Sequence, residues 1–384
     1  MTSLVTTITE TLRYRGALGQ WSWVLHRVTG LGVVLFLTLH VIDTSWSVFY
    51  PSLYVEAIAV YQTPLFTLGE FGLVACVVYH ALNGLRIAIF DFRPEWWRHQ
   101  AKAARIVLLG TVVLLIPVFL IMFGHVLAFY NESPQILGIA EVLSSQLRFV
   151  VGIGAAIVVA VILAILTQPL LGGMDKSKSG RPKASKIERF WWSFMRVSGI
   201  AIVPLVFGHL AMIHLVQGVF DITAQNFVTV GTNLANASGT SVEFVANRWN
   251  FLFAGVAVWK IYDILLLLFV VLHGFNGLRY VLTDYTSSNA IAKRAAVYTV
   301  TIGAAVLLAV GGGALVSTIP QDAISMAQDA ITRLHGGEAA GSTAGESTGE
   351  AGGEAGEAGE AGETAPANQE APAVEPTAEA TSGS

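Results

Sequence analysis

The 384-residue chain is 54% hydrophobic and only 12% charged, a balance that excludes an ordinary water-soluble globular protein. Its single cysteine, Cys76, excludes an internal disulfide, a CxxC redox pair and a cysteine-held iron–sulfur cluster, so a redox centre here needs other ligands. The net charge of −4 conceals an asymmetry, because residues 336–384 hold ten Glu and no Lys or Arg, leaving 22 basic against 16 acidic residues in the rest.

Met1 to Gly19 carries no short apolar core followed by a small-residue cleavage site, so no secretory signal is expected. A hydrocarbon core about 30 Å thick is crossed by roughly 20 helical residues. Apolar runs of that length predict seven spans, at 24–46, 65–90, 105–129, 147–171, 195–219, 252–282 and 296–317. Basic residues cluster on alternate sides: Arg13, Arg15 and Arg27 at span one, Arg86 to Arg105 between spans two and three, and Lys176 to Arg189 between spans four and five. The intervening loops hold only Arg248, so the positive-inside rule puts the N-terminus in the cytoplasm and, after seven crossings, the C-terminus outside. Beyond Gly336 the chain is almost wholly Glu, Ala, Gly, Ser, Thr and Pro without an aromatic residue, which predicts disorder.

Two segments repeat. H-A-L-N-G-L-R-I-A-I-F-D (His80 to Asp91) ends span two, and H-G-F-N-G-L-R-Y-V-L-T-D (His273 to Asp284) ends span six. R-V-T-G at Arg27 matches R-V-S-G at Arg196, and thirteen residues after each arginine stands a histidine, His40 and His209. The predicted fold is therefore an all-α, multi-pass transmembrane helical bundle of two parallel three-helix repeats. The repeats are 1–130 and 191–320, joined by an extra helix and a basic cytoplasmic loop in 131–190 and followed by a low-complexity Glu/Ala/Gly tail at 321–384.

At 1.5 Å per residue, His80 and His273 lie about 9 Å from Arg86 and Arg279, while His40 and His209 lie about 20 Å beyond Arg27 and Arg196. Two pairs at two depths fit two stacked hemes, each held by two neutral imidazoles as a low-spin, electron-transferring iron. A lone membrane histidine more often bonds a backbone carbonyl or a neighbouring helix; duplication in register favours ligation. His125 and His214, near the outer span ends, compete with His40 and His209 as distal ligands, whereas His26, His99 and His335 are expected outside the hydrocarbon. Gly30, Gly199, Gly84 and Gly277 leave room for a flat macrocycle or for plain helix packing. Lys260 and Asp263, three apart, are expected to pair with each other, the alternative being Lys260 with a heme propionate.

These motifs resemble the cytochrome b membrane-anchor subunits of succinate dehydrogenase, respiratory complex II. W-S-W-V-L-H-R-V-T-G (Trp21 to Gly30), L-H-V-I-D (Leu39 to Asp43) and H-A-L-N-G-L-R resemble the first anchor; R-V-S-G, G-H-L-A-M-I-H-L (Gly208 to Leu215) and the segment His273 to Tyr285 resemble the second. The two anchors look fused in one chain. The resemblance implies a complex in the bacterial plasma membrane with a flavoprotein subunit carrying FAD and an iron–sulfur subunit, no nucleic-acid partner, and no dicarboxylate catalysis in this chain. It implies heme b, two per chain and one at minimum, with proximal ligands His80 and His273 and distal ligands His40 and His209. It also implies a menaquinone or ubiquinone site at the cytoplasmic end, matched by Arg27, Asp284 and Tyr285. There a phenol donates to a quinone carbonyl while Arg and Asp set charge and relay protons. The family's serine, three residues before the His of H-R, is Trp23 here, with Ser22 one place earlier; Ser22 is the remaining candidate. A menaquinol:fumarate reductase anchor is the alternative, and a transporter the reading from another class, although its usual midplane charges are replaced by paired histidines.

Overall fold

The computed structural model describes residues 17–132, 139–171, 186–216, 222 and 228–346. Among them no strand occurs, only two isolated bridges, Val228 with Ala235 and Phe253 with Val256. The helices are α1 (Leu18–Phe49), α2 (Pro51–Tyr61), α3 (Pro64–Phe92), α4 (Gln100–Glu132), α5 (Ile139–Leu166), α6 (Lys186–Leu210), α7 (Ser241–Trp249), α8 (Val258–Thr286), α9 (Ala290–Val316) and α10 (Gln321–Glu346). Among the described residues six helices are long and apolar enough to cross a membrane, namely α1, α3, α4, α6, α8 and α9, and a shorter apolar stretch, Val150–Leu166, lies in α5. α5 lies where the sequence predicts a seventh span, but is not among the six.

Hydrocarbon offers no water to backbone groups, so these sequences fold as helices whose polar side chains bond back onto their own carbonyls. Thr29, Thr38, Ser45 and Ser47 of α1 all do so. Proline opens α2 and α3, where its missing N–H costs nothing. Asn289 caps α9 through Oδ1, accepting from Ile291 N at 2.9 Å and Ala292 N at 3.1 Å.

Four helices form a ring: α1 packs against α3 and α8, and α6 packs against the same two. α1 and α6 are therefore diagonal partners, as are α3 and α8. α4 packs on α3, α9 on α8 and α1, and α5 on α9. Large apolar side chains of α4 and α5, such as Leu109, Leu120, Val150 and Leu166, are exposed, as a lipid-facing exterior requires.

At the end of the ring where α1 gives way to α2, the sequence predicted loops and a structureless tail. The structure has a packed cap instead. Tyr54 and Val55 of α2, Phe244, Val245 and Trp249 of α7, and Ala323, Ile324, Ala327 and Ala330 of α10 share one buried cluster. Thr240 starts α7 by accepting the Glu243 N–H at 3.0 Å. The predicted low-complexity tail thus begins as helix, through Glu346, ten residues past the point where disorder was expected to start; in 321–336 small apolar residues recur at helical spacing and are covered. The tail beyond Glu346 lies outside the described residues. Span six begins later than the sequence indicated, at Val258, because 250–257 turns through left-handed Ala254 and Gly255.

Candidate functional site

The ring encloses a cavity of about 680 Å³ lined by all four histidines of the duplicated motifs, His40, His80, His209 and His273. His80 comes from α3 and His273 from α8, so the first pair faces across one diagonal; His40 on α1 and His209 on α6 face across the other.

At the first level each histidine is oriented by the first helix of its own half. His80 Nδ1 lies 3.1 Å from the His26 carbonyl. A carbonyl only accepts, so Nδ1 carries the proton and Nε2 keeps its lone pair. His273 Nδ1 lies 2.9 Å from Ser198 Oγ, whose own hydrogen goes to the Phe194 carbonyl at 2.6 Å. Ser198 therefore accepts from His273, and Nε2 is again the basic nitrogen. A metal-binding imidazole takes this form, its other nitrogen donating to a carbonyl or similar acceptor. Glycine makes the close approach possible: a Cβ at Gly30 would sit 2.8 Å from His80 Cε1, and one at Gly199 3.3 Å from His273 Cε1. At Gly84 and Gly277 a Cβ would meet only His26 and Met195, at 3.4 and 3.7 Å.

Ten residues along α1 from Gly30, about 15 Å, His40 faces His209 with ring centres 5.9 Å apart and planes at 81°. Two imidazoles bonded to opposite sides of one metal at about 2 Å each have centres about 6 Å apart. Two levels, four histidines and a cavity between them fit two hemes. His125 and His214 have side chains outside the described residues.

At the end of the cavity nearer Gly30, Arg27 pairs with Asp284, lies over the Trp23 ring at 4.4 Å and faces the Tyr285 ring at 5.6 Å. The arrangement recurs: Arg196 pairs with Asp91 at 2.5 Å and lies over Trp192 at 3.5 Å. Each arginine thus meets the aspartate of the other half. Phe92 occupies the position equivalent to Tyr285, so the matching position beside Arg196 carries no phenol. Arg27, Asp284 and Tyr285, the positions that the resemblance marks, lie together.

Ser22 is not. It is buried, donates to Asn83 Oδ1 at 2.8 Å and accepts from Tyr79 and Arg86, each at 3.2 Å, which ties α1 to α3. Arg279 has the matching task in the second half, joining Asn276 and Glu188 at 3.0 Å each. His26, expected outside the hydrocarbon, instead lines the cavity and stacks on His80 with centres 4.0 Å apart and planes 8° apart; its buried Nδ1 has no hydrogen-bond partner among the described residues. It adjoins Arg27 on the inward face of α1, a placement its position near a helix start concealed. The predicted Lys260–Asp263 pair does not form. Lys260 donates to the Ser317 carbonyl at 2.7 Å, while Asp263 accepts from Trp249 Nε1 at 3.0 Å, because the unforeseen cap supplies both partners. On that cap, burial lowers the Arg248 pKa from its ordinary value, and the Asp263 carboxylate opposes the shift.

The family model for the succinate dehydrogenase/fumarate reductase transmembrane subunit matches residues 7–121 and 176–311. A 105-residue stretch is 44% identical to the succinate dehydrogenase 2 membrane subunit SdhC of Mycobacterium tuberculosis, covering 27% of this chain and 76% of that protein. A 106-residue stretch is 33% identical to the succinate dehydrogenase hydrophobic membrane anchor subunit of Halobacterium salinarum, covering 27% of this chain and 81% of that one. No solved structure matches.

Proposed function

The chain belongs to the family of succinate dehydrogenase/fumarate reductase transmembrane subunits, and from that premise we propose that it is the heme b-carrying anchor of a succinate:quinone oxidoreductase. The observation that carries this reading is the shared tautomer of His80 and His273, each with Nδ1 bonded and a basic Nε2, on diagonal helices around one cavity. These two hold the proximal heme, and His40 and His209 the distal one. The two matched stretches and relatives that each cover about a quarter of the chain support two anchors fused in one polypeptide, with α5 as the crossing that keeps both halves parallel. The N-terminus is cytoplasmic in a bacterial plasma membrane, and the outer cap lies on the other side. Partner subunits carry FAD and iron–sulfur clusters, and dicarboxylate chemistry is theirs.

Bound heme supplies a one-electron carrier; this chain's residues do the rest. His26 and Arg27 line the same cavity beside His80, where a buried ring nitrogen and a guanidinium would offer polar contacts to a bound heme. At the cytoplasmic mouth, Arg27 stabilises negative charge on a quinone carbonyl oxygen and Tyr285, 70% exposed, donates its phenol proton as a hydrogen bond. Asp284, with its side chain 61% exposed, exchanges protons with water. Two electrons from the iron–sulfur partner and two protons then convert quinone, menaquinone or ubiquinone, to quinol. A menaquinol:fumarate reductase anchor uses the same groups in reverse, and the family spans both directions.

Pyridine hemochrome quantification and reduced-minus-oxidised spectra of the purified complex test the reading. Two hemes per chain are expected, with a different one lost in His80→Ala and in His40→Ala. Unchanged heme content in both variants refutes it.

A further inference from the structure

Asp263 on α8 is an intramembrane carboxylate on which the Arg248 guanidinium of the cap acts electrostatically. Its side chain is 14% exposed; one oxygen accepts the Trp249 indole N–H at 3.0 Å, and the other, Oδ1, faces His209 Nδ1 at 3.8 Å and accepts no hydrogen bond among the described residues. Lys260, one turn away, is committed to Ser317. The neighbouring Tyr262 acts on the same histidine through the backbone. Its hydroxyl donates to the Leu205 carbonyl of α6 and stands beside the His209 backbone N–H. A Cβ at Gly208 would meet that hydroxyl at 2.8 Å, and α6 passes into a π-helix at Ala211–Val216 directly afterwards. The first half has Gly69 where Tyr262 stands, and α1 runs uninterrupted through His40.

We propose that Asp263, fixed by Trp249 of the outer cap, is the positioning residue of the distal heme, receiving the Nδ1–H of His209 and turning Nε2 to the iron. The inference rests on His40 and His209 being that heme's ligands. A carboxylate behind a metal-bound imidazole raises the ligand's basicity and favours the more positive, oxidised iron. It therefore holds that heme's potential down, and the cap reaches the redox centre through one indole.

The test is a potentiometric titration and an electron paramagnetic resonance spectrum of the intact complex with Asp263→Asn, Asp263→Glu, Trp249→Phe and His209→Ala. In Asp263→Asn, with two hemes retained, one heme alone becomes about tenfold easier to reduce, about 59 mV for a one-electron couple, and its low-spin signal shifts. Trp249→Phe, which removes only the indole donor, moves the same heme in the same direction by less, and Asp263→Glu restores most of the wild-type value. If Asp263→Asn loses the distal heme, its recovery in Asp263→Glu supports the proposal and its absence there overturns it. Two hemes at wild-type potentials in both Asp263→Asn and Trp249→Phe overturn it while leaving the heme ligands intact. Two hemes in His209→Ala overturn the ligand assignment instead.

Discussion

Gly30 and Gly199 stand at equivalent positions of the two halves, yet adding a methyl group to each should give different results. In Gly30→Ala the new Cβ lies 2.8 Å from His80 Cε1, so the ring must retreat by about 0.6 Å to reach an ordinary contact of about 3.4 Å. It has little room to do so, since Nδ1 is tied to the His26 carbonyl and the ring stacks on His26 with centres 4.0 Å apart. In Gly199→Ala the contact is 3.3 Å, and about 0.1 Å of movement relieves it. Metal–ligand distances tolerate about 0.2 Å, so the first change exceeds the tolerance and the second does not. Overpacking costs about 1–3 kcal/mol, against about 1 kcal/mol gained when Ala replaces Gly inside a helix. Gly30→Ala should therefore lose proximal heme or shift its potential and lower the melting temperature, while Gly199→Ala keeps both hemes at equal or slightly higher stability. Hemochrome content, potentiometry and thermal melts of the purified complex measure this. Equal heme loss in the two variants, or full heme in Gly30→Ala at an unchanged potential, would refute the reasoning.

Ser198→Ala removes the acceptor that fixes His273, leaving a buried N–H worth about 1–3 kcal/mol; heme retention during dilution into apomyoglobin should weaken about 10–100-fold, whereas Ser198→Thr keeps the acceptor and the heme. Arg27→Gln and Tyr285→Phe should raise the quinone KM or lower kcat in a succinate–quinone assay while the heme count stays at its wild-type value; unaltered quinone kinetics in both would remove the quinone site from this end of the cavity. Ser22→Ala should behave oppositely, destabilising the complex by about 1–3 kcal/mol through the orphaned Asn83 and Arg86 groups with an unchanged quinone KM, as thermal melts and the same assay show.

The helices and the duplicated histidines were legible because both are local signals: apolar length marks a span, and His-x-x-x-Gly-Leu-Arg repeats within one helix. Arg27, Asp284 and Tyr285 were legible only through family resemblance, for nothing near Arg27 announces that its partner stands 257 positions away. The reciprocal Arg196–Asp91 pair escaped for the same reason. Ser198 was visible as part of R-V-S-G, but its role depends on a histidine from another helix. The cap was missed because composition dominates the reading of the last segment: the Ala323, Ile324, Ala327 and Ala330 stripe is weakly apolar and is buried only when α2 and α7 cover it. That omission carried the Lys260–Asp263 error with it, since the true partners, Ser317 and Trp249, belong to or adjoin the cap.

Electron delivery from succinate to a heme held by this chain is the central claim, and it is tested most directly in anaerobic membranes containing the assembled complex. Adding succinate should bring up a b-type heme band in the reduced-minus-oxidised spectrum, and adding oxidised quinone should discharge it; in His80→Ala and His273→Ala membranes the succinate-reducible proximal component should be missing although the partner subunits remain bound. A wild-type complex without a b-type band, or one whose band persists unchanged in both variants, would contradict the account.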